Sequence, residues 1–389
     1  MLDYNKLLSP TVTSLPPSGI RKLFNVVNEM EDVVSLGVGE PDFATPRNVR
    51  DIGIRSLEKG NTHYTANAGL KELRMEICRY LERKYNLLYN EDEVFVTVGG
   101  SEAIDAALRT IISPGDEILI PEPSFVCYKP LTLLAGGVPV PIATKAENDF
   151  RITAEEIKAA VTPKTKAIVL PYPNNPTGAV LERADLESIA AYLKETNILC
   201  LTDEIYSELN YTPEGHISIA SIEGMRERTI YINGFSKAFA MTGWRLGYVC
   251  APKEIIKPML KVHQYAIMCS PTTSQYAAIE ALKNCDSAVA AMRDEYNMRR
   301  RLMVSGFRDM GFDCFEPLGA FYVFPDIRKT KLTSDEFCEK LLMDQRVAVV
   351  SGNAFGESGE GFIRCSYAYS VKSISKALDR IRKFAEKYI

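Results

Sequence analysis

Between about residues 92 and 250, short runs rich in β-branched residues alternate with segments of helical periodicity. One helix is predicted over 101–112, where Ile104, Leu108 and Ile111 fall on one face, and another over 183–195. This alternation constrains the fold more than any other feature, because it is typical of an α/β layer with a largely parallel, buried sheet. The predicted strands are 94–98, 117–120, 167–170, 198–202, 229–232 and 246–250.

The pattern changes after residue 286. A long helix is predicted over 287–310, and short strands follow around 321–324, 347–350 and 362–365. A final helix is predicted over 371–387. This order of elements indicates a smaller α+β domain at the C-terminal end.

The first 44 residues are rich in proline, with Pro10, Pro16, Pro17 and Pro41. Proline removes a backbone donor and fixes φ, so this segment is expected to be an arm with a short helix rather than a domain. We therefore predict three parts of the chain, with 1–44 as an N-terminal arm and part of the small domain, 45–286 as a large domain, and 287–389 as the small C-terminal domain.

Composition excludes several classes of function. The formal net charge of −4 argues against a nucleic-acid-binding protein. No apolar run approaches the roughly 20 residues of a membrane span, and no secretory signal pattern is visible. The nine scattered cysteines, without a C-x-x-C pair, and the three distant histidines predict reduced thiols, a cytoplasmic location and no metal site.

Polar side chains follow three of the predicted strands. Asn175 lies in a Pro/Gly turn after 167–170, Asp203 and Tyr206 follow the next strand, and Lys237 follows 229–232. Taken singly, each has a structural explanation, as a turn residue, a helix cap or a solvated lysine. Because parallel strands bring their carboxyl ends to one edge of a sheet, the combination favours a functional site there.

The chain resembles a known family at these and other motifs. Lys237-x7-Arg245-x-Gly247 is the most specific of them, and together they resemble the signature of the class I/II, fold-type I aminotransferases, which use pyridoxal 5'-phosphate. The resemblance runs from about residue 20 to the C-terminus. The other motifs are Gly39-Glu-Pro-Asp-Phe, Tyr64-Thr, Gly99-Gly-Ser101, Asn175-Pro-Thr-Gly, Asp203-Glu-Ile-Tyr206, Ser236-Lys237 and Phe362-Ile-Arg364.

The resemblance implies a large cofactor-binding domain with a mostly parallel seven-stranded sheet flanked by helices, and a smaller α+β domain. Lys237 would form the Schiff base with the cofactor and then shuttle a proton. Asp203 would pair with the pyridine nitrogen, and Asn175 and Tyr206 would bond the phenolic oxygen. Phe125 matches the aromatic residue that stacks on the ring, although it could equally be an ordinary core residue.

The same resemblance implies a set of phosphate ligands. Gly100 and Ser101 open a predicted helix, whose N–H groups and dipole attract an anion. Arg245 would add a charge-assisted contact. Tyr64 resembles a tyrosine that reaches the cofactor of the neighbouring subunit, which implies a homodimer with shared active sites.

One position departs from the family pattern. Many relatives carry a serine three residues before the lysine as a further phosphate ligand, whereas this chain has Gly234. Ser236 is a candidate cofactor contact, but it occupies a different position and need not substitute. Somewhat weaker cofactor binding is therefore expected.

Arg364 resembles the arginine that binds the substrate α-carboxylate, and its planar guanidinium matches that group with two parallel hydrogen bonds. Gly39 and Asn175 would contact the same substrate. The alternative for Arg364 is a structural salt bridge. Some aspartate-specific relatives carry a lysine at the position of Ser101; Arg21 is a candidate for that role, or else a helix-surface residue.

We therefore predict an aminotransferase that moves an amino group from an L-amino acid to a 2-oxo acid, with 2-oxoglutarate the expected acceptor. The similarity is strongest to a subgroup that includes alanine, aspartate, aromatic and N-acetyl-diaminopimelate aminotransferases. The alternative is a C–S β-lyase or another pyridoxal phosphate enzyme of the same fold, because those enzymes share the residues named above.

Overall fold

The computed structural model describes residues 2–17 and 30–389, so Arg21 lies outside the described residues. The helices are α1 Tyr4–Leu7, α2 Pro10–Ser14, α3 Arg47–Glu58, α4 Lys71–Tyr85, α5 Gly99–Ile111, α6 Tyr128–Leu134, α7 Ala154–Ala160, α8 Arg183–Lys194, α9 Lys253–Ala266, α10 Thr272–Asn284, α11 Asp286–Asp309, α12 Ser334–Gln345 and α13 Val371–Ala385. The strands are β1 Val34–Ser35, β2 Val94–Thr97, β3 Glu117–Glu122, β4 Val138–Ala143, β5 Thr165–Leu170, β6 Leu199–Asp203, β7 Thr229–Gly234, β8 Gly247–Cys250, β9 Tyr322–Val323, β10 Val347–Ala348, β11 Val350–Ser351 and β12 Ile363–Ser366.

A seven-stranded sheet in the order β2-β8-β7-β6-β5-β3-β4 forms the centre of the molecule. Every neighbouring pair is parallel except the two pairs that involve β8. One apolar cluster packs α5 against the sheet through Ile104 and Ile232, and another packs α8 through Leu186 and Ile168. The predicted α/β architecture, with a mostly parallel sheet covered by helices, is confirmed.

Strand β4 was not among the strands predicted from the sequence. Its sequence, VPVPIA, contains Pro139 and Pro141, and proline cannot donate to a β-ladder. The strand is accommodated because it lies at the edge of the sheet, where it pairs with β3 alone. Only its position in the sheet, which the local sequence does not encode, makes these prolines tolerable.

Two smaller sheets lie outside the central one. Strands β11, β12 and β9 form an antiparallel sheet, and β1 pairs in parallel with β10. The predicted strand over 347–350 is therefore two short strands that belong to different sheets. The first of them, β10, pairs with β1 and so joins residues 34–35 to the C-terminal part of the chain. The domain boundaries at 44/45 and 286/287 stay a prediction.

The sheet order places three functional candidates together. Strands β5, β6 and β7 are adjacent and parallel, so the segments after their carboxyl ends meet at one edge. Asp203 is the last residue of β6, and Asn175 and Lys237 lie in the segments that follow β5 and β7. Arg364 lies on β12, beside β9. No helix in the described part of the chain is long and apolar enough to cross a membrane, and all nine cysteines are free thiols.

Candidate active site

A cavity of about 310 Å³ opens at the carboxyl edge of the central sheet. With one exception, every site residue predicted from the sequence contributes to its wall. The exception is Tyr64, which is 81% exposed and lies outside this cavity. The predicted residues in the wall are Gly39, Gly100, Ser101, Phe125, Asn175, Asp203, Tyr206, Ser236, Lys237, Arg245 and Arg364.

The inner end of the cavity is formed by Asp203 and Tyr128, both of which are buried. The Tyr128 hydroxyl donates to Oδ2 of Asp203 at 2.7 Å, and the Ile205 N–H donates to Oδ1 at 3.3 Å. Burial raises the pKa of the Asp203 carboxyl to about 6, against the lowering effect of these two bonds. A buried carboxylate of this kind favours a cationic partner.

Lys237 lies beyond the carboxyl end of β7 and lines the cavity. Its Nζ donates to the carbonyl oxygen of Gly39 at 2.6 Å, and no carboxylate of the described residues forms an ion pair with it. Burial lowers the pKa of the amine to about 8, and the charge of Glu40 opposes this shift. The neutral amine, which is the nucleophilic form, is therefore accessible near neutral pH.

Arg364 is 2% exposed, yet no carboxylate of the described residues pairs with it. Its Nη1 donates to Oδ1 of Asn175 at 2.9 Å and its Nη2 to the Gly37 carbonyl at 2.6 Å, whereas Nε is buried without a partner. The guanidinium lies 4.5 Å from the ring centroid of Tyr322 and 4.8 Å from that of Phe355. A buried cation without a counter-ion is costly, so the site favours an anionic ligand.

Tyr206 lies on the same side of the cavity as Arg364. Its hydroxyl is 2.9 Å from the hydroxyl of Tyr322, and the two rings meet edge to face. A Cβ atom at Gly39 would overlap the Tyr322 hydroxyl oxygen. Glycine at position 39 thus allows the backbone that bonds Lys237 to approach these tyrosines.

The outer end of the cavity is formed by Gly100, Ser101 and Arg245. Here β2 turns into α5 through Gly99, which has φ +76°, and no side chain caps the first turn of the helix. The Arg245 guanidinium lies beside this turn, so close that a Cβ atom at Gly99 would stand 2.7 Å from Nη2. Uncapped N–H groups at a helix N-terminus next to an arginine form an arrangement that attracts an anion.

Phe125 and Ser236 complete the predicted set. Phe125 is half-buried and meets the Tyr128 ring edge to face, with centroids 6.1 Å apart. Ser236 is buried in the cavity wall. No cluster of potential metal ligands exists among the residues that the structure describes.

Comparison with known proteins identifies the family. The model described as aminotransferase class I and II matches residues 31–381. The chain belongs to this family. It is 52% identical over 381 residues to a putative aminotransferase, YugH, of Bacillus subtilis, with 98% of each chain covered. It is 46% identical to an aspartate aminotransferase of Pyrococcus abyssi, with 97% of each covered.

The solved structures agree. An aromatic aminotransferase from Pyrococcus horikoshii matches with a TM-score of 0.90 and 44% identity, covering 94% of this chain and 99% of that one. The recognition of the family from its motifs and the assignment of a fold-type I aminotransferase are thus confirmed, and the protein is an enzyme of that family.

Two residues of this aminotransferase were not predicted from the sequence. Tyr128 holds Asp203, and Tyr322 contacts Tyr206 and Arg364. Tyr128 lies three residues after Phe125, so the same segment contained a signal. Tyr322 follows Ala320-Phe321 in an apolar run, and nothing local separates it from a core residue.

Proposed function

We propose that this aminotransferase binds pyridoxal 5'-phosphate through Lys237 and transfers an amino group from an L-amino acid to a 2-oxo acid. The observation that carries the proposal is the meeting of three groups in one cavity: the Lys237 amine, the buried Asp203 carboxylate and the Arg364 guanidinium without a counter-ion. Each is a residue that the family resemblance assigned to this chemistry.

The residues present fit this cofactor at both ends. The inner end offers a buried carboxylate, which suits a protonated ring nitrogen. The outer end offers an uncapped helix terminus and Arg245, which suit a phosphate. A Cβ atom at Gly247 would stand 2.6 Å from the carbonyl carbon of Gly99, so glycine there leaves room for the turn at the outer end.

When bound, pyridoxal phosphate supplies an electron-withdrawing ring that makes the Cα–H bond of an amino acid acidic. The chain then holds the ring and moves the proton. The Asp203 carboxylate would stabilise a protonated ring nitrogen at the inner end, and the Tyr128 hydroxyl fixes the position of that carboxylate. Lys237 Nζ, with a pKa lowered to about 8 by burial, would accept the proton from Cα and deliver it to the cofactor carbon that receives the amino group.

Arg364 orients the substrate. Its buried guanidinium binds the α-carboxylate of the amino acid and of the 2-oxo acid in turn, which fixes Cα relative to Lys237. Oδ1 of Asn175 accepts from Arg364, so the amide nitrogen is the end of Asn175 available to an acceptor on the cofactor. Tyr206 offers a hydroxyl to the same acceptor.

The amino-acid substrate is proposed only as a class. The relatives named above act on aspartate in one case and on aromatic amino acids in another, by their names. We infer a broad activity with 2-oxoglutarate as acceptor. A half-reaction screen of the twenty common amino acids tests it; if alanine, aspartate and the aromatic amino acids all leave the cofactor spectrum unchanged, the inference is wrong.

A homodimer is also proposed. Tyr64 and Tyr265 are 81% and 88% exposed, and Nδ2 of Asn67 donates to the Met268 carbonyl at 2.8 Å, which ties the two segments together. Two exposed aromatic residues on adjoining segments are suited to an interface. Sedimentation analysis is expected to show a dimer, and Tyr64→Phe is expected to weaken cofactor binding; a monomer that binds the cofactor tightly would contradict the proposal.

An absorption spectrum tests the cofactor assignment. The purified protein, after incubation with pyridoxal phosphate and removal of the unbound cofactor, is expected to show a visible band that disappears after borohydride treatment. Lys237→Ala is expected to lack that band and all transaminase activity. Lys253→Ala is the matched control, because this exposed lysine pairs with Asp92 on the surface and has no part in the cavity. A normal band in Lys237→Ala would contradict the assignment.

A further inference from the structure

A buried pair, Glu102 and His263, lies directly behind the outer end of the cavity. Glu102 follows Ser101 in the first turn of α5, and His263 lies on α9, which packs against α5. His263 Nδ1 is 2.5 Å from Oε1 of Glu102, and the side chains are 0% and 12% exposed. Neither residue lines the cavity itself.

Glu102 bonds back to the residue before α5, one position later than the third helical residue that makes this bond in a capping box. Its Oε2 accepts from the backbone N–H of Val98, the residue that precedes the helix. In a complete capping box, the residue at the N-cap accepts in return from the first turn, but Val98 has no polar side chain and no such bond exists. The carboxylate thus fixes the turn while the N–H groups of the first turn stay free for another acceptor.

His263 holds the carboxylate in this orientation. A carboxylate in the first turn of a helix is itself attracted to the free N–H groups, and it could occupy them in place of a ligand. The bond to Nδ1 keeps Oε1 directed at α9. The imidazole is fixed in turn by Phe95, with ring centroids 5.4 Å apart, and its Nε2 is buried without a partner.

We propose that Glu102 and His263 are positioning residues that hold the turn over 98–101 open for the phosphate of the cofactor. This inference rests on the proposed function. Neither side chain is assigned a contact with the phosphate. The pair acts through the backbone of the turn, so its effect should depend on the presence of the phosphate and should vanish for a ligand that lacks it.

The test compares the affinity of the cofactor-free protein for pyridoxal 5'-phosphate and for pyridoxal. His263→Phe keeps a flat ring against Phe95 and removes the nitrogen that bonds Glu102. We expect the Kd for pyridoxal phosphate to rise about tenfold or more, and the Kd for pyridoxal to stay within about twofold. Competition by inorganic phosphate should weaken by the same factor as pyridoxal phosphate binding.

The chain offers a matched control in a second buried Glu–His pair. His216 Nε2 is 2.6 Å from Oε2 of Glu204, the residue after Asp203, and neither Glu204 nor His216 lines the cavity. His216→Phe removes a comparable bond, so it should lower thermal stability to a similar degree without changing the preference for pyridoxal phosphate over pyridoxal. Glu102→Gln, which keeps an oxygen for Val98, is a milder variant and should show a smaller loss of the same preference.

The outcomes separate the two proposals. If His263→Phe weakens both ligands equally, or weakens neither, the pair is merely structural and the inference is overturned. An equal loss of preference in His216→Phe would overturn it as well. If the wild-type protein binds no pyridoxal phosphate at all, the proposed function itself fails, and the inference fails with it.

Discussion

The inner and outer ends of the cavity differ in burial and in the kind of group that they present to a ligand. At the inner end, Asp203 and Tyr128 are buried and hold each other by a direct hydrogen bond. At the outer end, Ser101 and Arg245 are exposed, and backbone N–H groups supply the remaining contacts. Burial shifts the ionisation of Asp203, whereas the exposed charge and the backbone donors at the outer end supply binding contacts. The inner end should therefore control the chemistry and the outer end the affinity for the cofactor.

The largest expected effect is that of Asp203→Asn. The variant keeps the shape of the side chain and removes the charge that favours a cationic ring. We expect kcat to fall by about 10²–10³-fold with the cofactor saturating, because electrostatic stabilisation of the reacting group is lost. Steady-state kinetics measure this; a fall in cofactor affinity alone, with kcat preserved, would remove the distinction between the two ends.

The same substitution should stabilise the cofactor-free protein. Burial raises the pKa of Asp203 from 3.8 to about 6. The folded protein therefore binds the proton of this carboxyl more tightly than the unfolded protein by about 3 kcal/mol. The stability that the wild-type protein gains from this proton is fully present below the unfolded pKa of 3.8. It is lost as the pH rises through about 6, whereas the neutral side chain of the Asp203→Asn variant is unaffected by pH.

Denaturant unfolding of both proteins measures this linkage. Relative to wild type, Asp203→Asn should gain about 2 kcal/mol more at about pH 8 than at about pH 4.5, because at about pH 4.5 the unfolded carboxyl is already mostly ionised. A stability difference that is independent of pH would show that Asp203 is not strained by burial.

Tyr128→Phe should produce the next largest effect. The hydroxyl bond lowers the pKa of Asp203, so its loss should raise that pKa further and weaken the pairing with the ring. We expect kcat to fall about tenfold, from the loss of a hydrogen bond to a charged group. Tyr172→Phe is the control, since its hydroxyl bonds Ile152 and Phe150 outside the cavity; an equal fall there would indicate a general effect of a lost buried hydroxyl.

Arg245→Lys should have the smallest effect, at the outer end. Lysine keeps the charge and loses the planar fork that binds phosphate at two points. We expect the Kd for pyridoxal phosphate to rise by about threefold to tenfold, with kcat at saturation unchanged. Equilibrium titration measures the Kd and steady-state kinetics measure kcat on the same samples. A loss in kcat as large as that expected for Asp203→Asn would contradict the distinction between the inner and outer ends.

The features predicted best from the sequence are those set by residues that lie close together in the chain. Asp203 ends β6 and Lys237 lies three residues after the end of β7, and parallel pairing of these strands was enough to bring the two residues together. Tyr128, Tyr322 and His263 were not predicted, because their partners Asp203, Tyr206 and Glu102 lie 75, 116 and 161 residues away in the chain. Strand β4 was missed for the related reason that its prolines are tolerable only at a sheet edge.

Tyr64 marks a different limit. Its motif predicted a contact with a neighbouring subunit, and in the single chain the side chain is exposed and lies outside the cavity that holds the other predicted residues. Such a residue has no physical role within its own chain that either the sequence or the fold could assign. Its role stays a prediction that requires the dimer.

The most direct test of the account follows the nitrogen itself. A ¹⁵N-labelled amino acid and unlabelled 2-oxoglutarate are incubated with the enzyme and pyridoxal phosphate, and the products are identified by NMR. The account predicts that the label appears in glutamate, with the matching 2-oxo acid formed in equal amount and no transfer by Lys237→Ala. Release of the label as ammonium without an amino-acid product, as a lyase would give, would contradict it.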